Sequence, residues 1–248
     1  MISKFCKIAI VALFLASCNN VTISTGDGSN KITGNGKLVS DQREIKPFSS
    51  IAIAGVFNVI LNQGNSESIK VETDENIVPL IITVVENDTL KVKLKDSTSI
   101  RKMTKLNVYI TLATIASINT MGVGSLKSED TLHLKDLELN IEGVGATEIC
   151  LVADKLSVNS KTVGAIVLSG IVNETSIIHN GVGLIKAFDL KSKKLSLQTS
   201  GVAAAEVFAS EEISIEASGI GGIEYKGGAT KKQINNDGIG KVVCVDCK

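Results

Sequence analysis

The stretch Gly143–Thr162, "GVGATEICLVADKLSVNSKT", is one unit of a repeat. Its opening motif recurs as "VGAIVL" from Val163, "GVGLIKAF" from Gly181, "GVAAAEVF" from Gly201 and "GIGGIEY" from Gly219. The apolar residues at the motif centres are 18 to 21 residues apart: Val123, Val144, Val163, Val182, Val202, Ile220 and Ile239. A near-constant period of this length indicates stacked structural units.

A glycine-rich phosphate-binding loop is the alternative explanation of Gly-Val-Gly. Such a loop occurs once and opens a helix, whose N-terminal N–H groups then point at the anion. Here the motif occurs seven times, and alternating apolar residues typical of a strand follow it. The pattern therefore excludes a phosphate loop.

The repeat predicts an all-β fold, a right-handed parallel β-helix (β-solenoid) of about seven coils of 18–21 residues, preceded by a β-rich N-terminal part. Equivalent side chains of successive coils would stack at about 4.8 Å. We expect the central residues to be buried, with Val182 between Val163 and Val202. The glycines are predicted at corners, where a side chain would crowd its neighbours. Ala203 in a glycine position indicates that small size matters there.

The N-terminus carries a predicted lipoprotein signal. Lys4 and Lys7 precede an apolar run over residues 8–15, which is too short to span a bilayer as a helix. The run ends in Leu-Ala-Ser-Cys, which resembles a bacterial lipobox with Cys18 as the lipidated first residue of the mature protein. An ordinary secretory signal with an incidental cysteine is the alternative. We assign residues 1–17 to the signal peptide and 18–33 to a polar, flexible tether.

The remainder, 34–248, is predicted as one domain with a β-rich part over 34–112 and regular coils over 113–248. Two strands flank Asn87-Asp88, a dipeptide typical of a hairpin, and a helical turn is expected near Glu75–Pro79. The chain has 26 basic and 26 acidic residues and no tryptophan. Without a basic surface, nucleic-acid binding is excluded and membrane association must come from the lipid.

Few residues offer chemistry. Cys244 and Cys247 fall in predicted inward columns, so we interpret them as core residues or a local disulfide, with a redox or metal pair as the alternative. Both histidines, His133 and His179, are expected outward or in turns. The carboxylates at roughly coil-to-coil spacing are Glu148, Asp189, Glu206 and Glu224. "DGIG" at Asp237 occurs once and lacks the partner aspartates of a calcium-binding repeat. No catalytic, cofactor-binding or metal residues are predicted.

The segments "GNGKLVSDQREIKPFSSIAIAGVFNVILNQG", "VETDENIVPLI" and "TLKVKLK", together with the glycine-rich coils, resemble the head GIN domain family of auto-transporter adhesin heads. The resemblance covers about Gly34 to Val243. It implies a β-helix-like fold and often a lipoprotein anchor, and it brings no catalytic residues; "adhesin" is there a name by analogy. The Cys244-Val-Asp-Cys247 ending departs from the family pattern.

Together these observations predict a lipid-anchored envelope protein that is not an enzyme and uses no cofactor. It would act as a scaffold or adhesin-like binding module, contacting the membrane through Cys18 and an envelope protein or glycan through its surface. The alternative is a polysaccharide-acting β-helix enzyme, a lyase or hydrolase, which would need converging carboxylates in a cleft. Since Asn19 and Asn20 are not acidic, we expect the periplasmic face of the outer membrane.

Overall fold

A computed structural model of the chain describes residues 30–246. The signal peptide, Cys18 and Cys247 lie outside these residues. The strands are β1 (Asn30–Thr33), β2 (Leu38–Arg43), β3 (Ser50–Gln63), β4 (Ser68–Asp74), β5 (Ile81–Glu86), β6 (Thr89–Leu94), β7 (Thr98–Lys102), β8 (Leu106–Leu112), β9 (Ser117–Ser128), β10 (Leu132–His133), β11 (Asp136–Ala217), β12 (Ile223–Lys226), β13 (Lys231–Asn236) and β14 (Val242–Cys244). A 3-10 turn at Val78–Leu80 is the only helical element in the described part.

The N-terminal part is a mixed sheet. β4 pairs antiparallel with both β2 and β8, and β5 pairs antiparallel with β6. The predicted hairpin at Asn87-Asp88 is confirmed, since both residues have positive φ, 51° and 60°, as a tight two-residue turn between β5 and β6 requires. The expected helical turn corresponds to the 3-10 turn at Val78–Leu80.

From β9 onward the strands stack in parallel and in register. β11 pairs with β9 over residues 138–148, and β12 and β13 pair with later parts of β11. β14 continues the stack on β12. Glycines of successive repeats lie directly over one another, because a Cβ added to Gly164 or Gly183 would meet the backbone of Gly145 or Gly164. The period of the sequence is thus the period of strand stacking.

The prediction of an all-β chain is confirmed, and the stack extends into the segment 34–112 that precedes the predicted regular coils. β3 lies within 34–112 but pairs in register with β9, with Gly55 opposite Gly122 and Val56 opposite Val123. The stack therefore begins at Ser50 and shares one sheet with the antiparallel strands. Residues 30–33, assigned to the tether, form β1 and pair with β7.

One apolar core runs from Phe48 to Ala229 and links both parts. In the stack it is made by the residues three places after each motif centre: Leu126, Ile166, Ile185, Ala205 and Ile223 are all at most 3% exposed. Rows of aliphatic side chains fill this interior, which agrees with the low aromatic content of 3%.

Candidate functional surfaces

The motif centres form an outward row, which we call the valine ladder (Val56, Val123, Val144, Val163, Val182, Val202, Ile220 and Ile239). The stacking within it was predicted and is observed, with Val144 opposite Val123 and Ile220 between Val202 and Ile239. The predicted burial is wrong. Val182 is 48% exposed, Val163 51% and Val202 49%, and Ile239 at the end is 72% exposed.

The glycines explain why the valines face outward. Gly143 and Gly145, on either side of Val144, have φ of 122° and 156°, which places the peptide planes in an orientation unfavourable for other residues. A Cβ on Gly145 would collide with the carbonyl of Gly124 in the preceding repeat. Most members of the row have glycine on both sides, and the side chains at the exceptions, Phe57, Thr162 and Ala203, are buried, so no flanking side chain covers the valines.

Ala203 differs from the glycines of its column. The glycines at the equivalent positions, such as Gly164 (φ 153°) and Gly221 (φ 144°), have positive φ, whereas Ala203 is absent from the non-glycine residues with positive φ. Ala203 is 8% exposed. The backbone at Ala203 has therefore adjusted to a Cβ, so the small size of alanine is not the only reason that it is accommodated there.

A second outward row, the amide row, contains Asn119, Asn140, Asn159 and Gln198 together with Ile178 and Glu216. The side chain of Asn140 donates to Asn119 Oδ1 at 2.9 Å, and Asn159 donates to Asn140 Oδ1 at 3.0 Å. Farther along the stack Gln198 donates to Glu216 Oε2 at 3.1 Å. These bonds join neighbouring repeats and hold the polar side chains of this face in fixed orientations.

A surface depression of about 770 Å³ crosses five repeats and is termed here the serine groove. One row of its lining is serine: Ser157, Ser176, Ser196 and Ser214. A parallel row alternates in charge: Asp136, Lys155, Glu174, Lys194 and Glu212. The Glu174 carboxylate lies 3.6 Å from the amino groups of both Lys155 and Lys194. The groove is thus a straight, regularly spaced set of hydroxyl and charged groups.

The four carboxylates singled out in the sequence do not form one cluster. Glu206 and Glu224 are opposite each other in adjacent strands, whereas Glu148 is in register with Lys127. Glu148, Asp189 and Glu224 are exposed. Asp237 accepts a hydrogen bond from the Asn235 amide at 3.0 Å. Within residues 30–246 no three histidine, cysteine, aspartate or glutamate residues are grouped in a way that could hold a metal ion.

His133 is exposed as predicted, but the prediction for His179 is wrong. His179 is 1% exposed, because it occupies an inward position of its repeat. Its Nδ1 lies 3.2 Å from Ser160 Oγ, one repeat away, and its Nε2 is buried without a hydrogen-bond partner. Burial lowers the pKa of this imidazole below its ordinary value, so the neutral form is favoured in the interior.

Cys244 is disulfide-bonded and half-buried, opposite Tyr225 as the column assignment predicted. Cys150 is a free thiol whose Sγ lies 3.2 Å from Thr131 Oγ1. The predicted lipidation site Cys18 is outside the described residues. In the part of the chain that the structure covers, no helix is long and apolar enough to cross a membrane.

Stacked parallel strands with rows of like side chains on the outer surface define a repetitive all-β protein. A family model described as "Putative auto-transporter adhesin, head GIN domain" matches residues 47–229. The chain therefore belongs to the head GIN domain family. The match includes the antiparallel strands β4 to β6 as well as most of the stack.

Solved structures agree with this assignment. A structure titled putative adhesin from Bacteroides fragilis is 29% identical, with a TM-score of 0.82 over 86% of this chain and 100% of that chain. A structure titled putative lipid binding protein from Parabacteroides distasonis is 24% identical, with a TM-score of 0.69 over the same shares, and shows likeness of fold. The search of curated proteins found no match. The adhesin family supports a location at the cell surface or envelope.

Two features of the surface could have been found in the sequence. The alternation of Asp136, Lys155, Glu174, Lys194 and Glu212 follows the same period as the valines. The sequence indicated the outward direction of the valine ladder less clearly. Val182 and Ile185 are both aliphatic, and they are three positions apart in the same strand, which is an odd number. Odd separation places residues on opposite faces of a strand.

Proposed function

We propose that this protein is a lipid-anchored, non-enzymatic binding module of the cell envelope. In this proposal the stack is a right-handed parallel β-solenoid of about seven regular coils, and the lipid on Cys18 holds it to the periplasmic face of the outer membrane. The serine groove is the binding surface for an extended envelope polymer, a glycan or a protein segment.

The serine groove is the observation that carries this proposal. Its serines recur once per repeat, at a strand spacing of about 4.8 Å, so that several equivalent hydroxyls can contact successive units of a linear partner. Repeat proteins commonly bind through such extended faces. Because Glu174 lies between Lys155 and Lys194, the charges of the groove are mutually compensated and do not favour a strongly charged partner.

Binding is tested with the mature protein on an array of envelope polysaccharides and by capture from envelope extract. Ser176→Arg would place a long charged side chain in the groove and should lower the affinity at least tenfold. Ser169→Arg introduces the same change outside the residues that line the groove and should leave binding unchanged. Equal affinity of both variants would show that the partner contacts another face.

The enzyme alternative is tested in the same samples by analysing the polysaccharides for cleavage products. Specific cleavage that is lost in Glu174→Gln, Glu148→Gln or Glu206→Gln would overturn the binding-module proposal. Saturable binding without cleavage is the expected result.

The anchor is tested separately by fatty-acid labelling. We expect the wild-type chain to be labelled and to sediment with membranes, and Cys18→Ala to do neither. If Cys18→Ala still incorporates fatty acid, the proposed anchor is wrong. Protease accessibility in intact and permeabilised cells distinguishes the periplasmic face from the exterior.

A further inference from the structure

We infer that the valine ladder is the membrane-facing side of the anchored protein and rests against the lipid surface. This inference depends on the proposed lipid anchor at Cys18, and it assigns a role to a surface that the binding function does not use. The ladder and the serine groove would then have different partners, the bilayer and an envelope polymer.

The composition of the ladder sets it apart from the other outward rows. All eight of its residues are valine or isoleucine, and those from Val144 to Ile220 are 48–51% exposed. The outward row two residues earlier mixes Ala54 and Met121 with Glu142, Lys161 and Asp237, and the amide row combines Asn119, Asn140 and Asn159 with Ile178. Stacking in register does not require aliphatic side chains, because the strands are also in register where the neighbouring rows carry polar side chains. A continuous exposed apolar row marks a contact with another apolar phase.

The geometry around the row leaves it accessible. The flanking columns are mostly glycine, such as Gly181 and Gly183 beside Val182, and the side chains that do occur in them, Phe57, Thr162 and Ala203, are buried and do not shield the valines. With eight members at about 4.8 Å the ladder is about 34 Å long. The row contains no charged residue, so it offers nothing by which a protein partner could be selected through charge.

The position of the predicted anchor decides which apolar phase this is. Only 11 residues separate Cys18 from Asn30, where β1 begins. Their maximum extension is about 40 Å, which is close to the length of the ladder itself. A body held so near the bilayer meets lipid at a high effective concentration, so that even a weak apolar contact would persist. A soluble partner or a second copy would have to compete with that contact.

The absence of tryptophan from the sequence permits a direct test. Val182→Trp places a single indole on the ladder, and Lys193→Trp places one at an exposed position beside the serine groove. Each lipidated variant is reconstituted into phosphatidylcholine vesicles, with or without bromine on the acyl chains. We expect Val182→Trp fluorescence to shift to shorter wavelength and to be strongly quenched by brominated lipid, whereas Lys193→Trp changes in neither respect.

A third variant checks that the ladder causes the contact. It combines Val182→Trp with Val163→Glu and Val202→Glu. The two carboxylates lie on either side of the indole in the valine ladder and should abolish the quenching. All three residues are half-exposed, so the variants should fold, and circular dichroism verifies this.

Three outcomes would overturn the inference. The first is equal quenching of the Val182→Trp and Lys193→Trp variants, or quenching of neither, while both sediment with vesicles; the anchor would then stand and only the orientation would fail. The second is a spectral shift of Val182→Trp that depends on protein concentration without vesicles, which would assign the ladder to a second copy. The third is failure of the lipidated chain to sediment, which would remove the proposed anchor together with this inference.

Discussion

The valine ladder and the interior ladder are made of the same kinds of residue, yet one is exposed and the other is buried. Val182 is 48% exposed and Ile185, three residues later in the same strand, is 0% exposed. Both rows stack in register from repeat to repeat. The difference teaches that periodic aliphatic residues identify a stacked β-structure without identifying its inside.

The two rows also differ in their flanks. The interior row is flanked in each strand by outward residues, whereas the valine ladder is flanked mostly by glycines, many of which have positive φ, such as Gly143, Gly145 and Gly183. Burial stabilises the interior row, and backbone geometry holds the exposed one in place. Substitutions in the two rows should therefore have different effects.

The sharpest test compares a buried charge with an exposed one. Ile185→Asp puts a carboxylate without a partner into the apolar interior, and we expect a loss of about 4 kcal/mol or more of unfolding free energy. Val182→Asp should cost about 1 kcal/mol or less, like Lys193→Asp on the surface. Thermal and denaturant unfolding measure all three. If Val182→Asp were as destabilising as Ile185→Asp, the assignment of inside and outside would be wrong.

The next test concerns the glycines that flank the ladder. At Gly164 an added Cβ would overlap the carbonyl oxygen of Gly145, and φ is 153°. We expect Gly164→Ala to cost about 3 kcal/mol. Gly228 also has positive φ, +75°, but an added Cβ meets nothing within 4 Å. Gly228→Ala should thus cost only about 1 kcal/mol from its backbone conformation. Equal melting temperatures of the two variants would contradict the proposed role of close stacking.

The sequence was sufficient to predict the all-β class, the period and the columns, because stacking in register requires equivalent residues at equivalent positions. It was not sufficient to predict that β3 joins the stack. The segment between β3 and β9 is much longer than one repeat, and Phe57 stands where the later repeats have glycine. The pairing of β3 with β9 across this long segment depends on how the whole sheet packs. The spacing of repeats along the sequence does not contain that information.

The candidate sites were harder to predict for a related reason. His179 was expected outside because histidine is polar, but its place in the alternation is inward. The column position was the stronger signal. The serines and charged residues of the serine groove are ordinary surface residues when taken singly, and only their alignment across repeats makes a groove.

Buried His179 allows the interior to be probed by pH. Since its pKa is lowered in the folded state, the unfolded chain binds the proton more readily. Stability should be full above the ordinary histidine pKa of 6.5 and should fall as the pH decreases below it, by at most about 1.4 kcal/mol per pH unit. His179→Leu should remove this dependence between pH 7.5 and 5.5, whereas exposed His133→Gln should retain it. A wild-type protein whose stability is constant over this range would contradict the burial of the imidazole.

The smallest expected effect lies on the charged row of the serine groove, where side chains are exposed as in the valine ladder but interact by charge. Glu174 is 49% exposed and contacts Lys155 and Lys194, both at 3.6 Å. Glu174→Ala should cost about 0.5–1 kcal/mol at low salt. This difference should vanish near 1 M salt, where charges are screened within about 3 Å.

Glu224 is the matched control for this last test. It is opposite Glu206 in the adjacent strand, so the side chain stacked next to it carries the same charge. Glu224→Ala should leave stability unchanged or raise it slightly at low salt, because a repulsion is removed. Unfolding curves of both variants at two salt concentrations separate charge pairing from stacking. Equal, salt-independent losses would mean that the outward rows contribute through side-chain packing alone, and the charged row would then not differ in kind from the valine ladder.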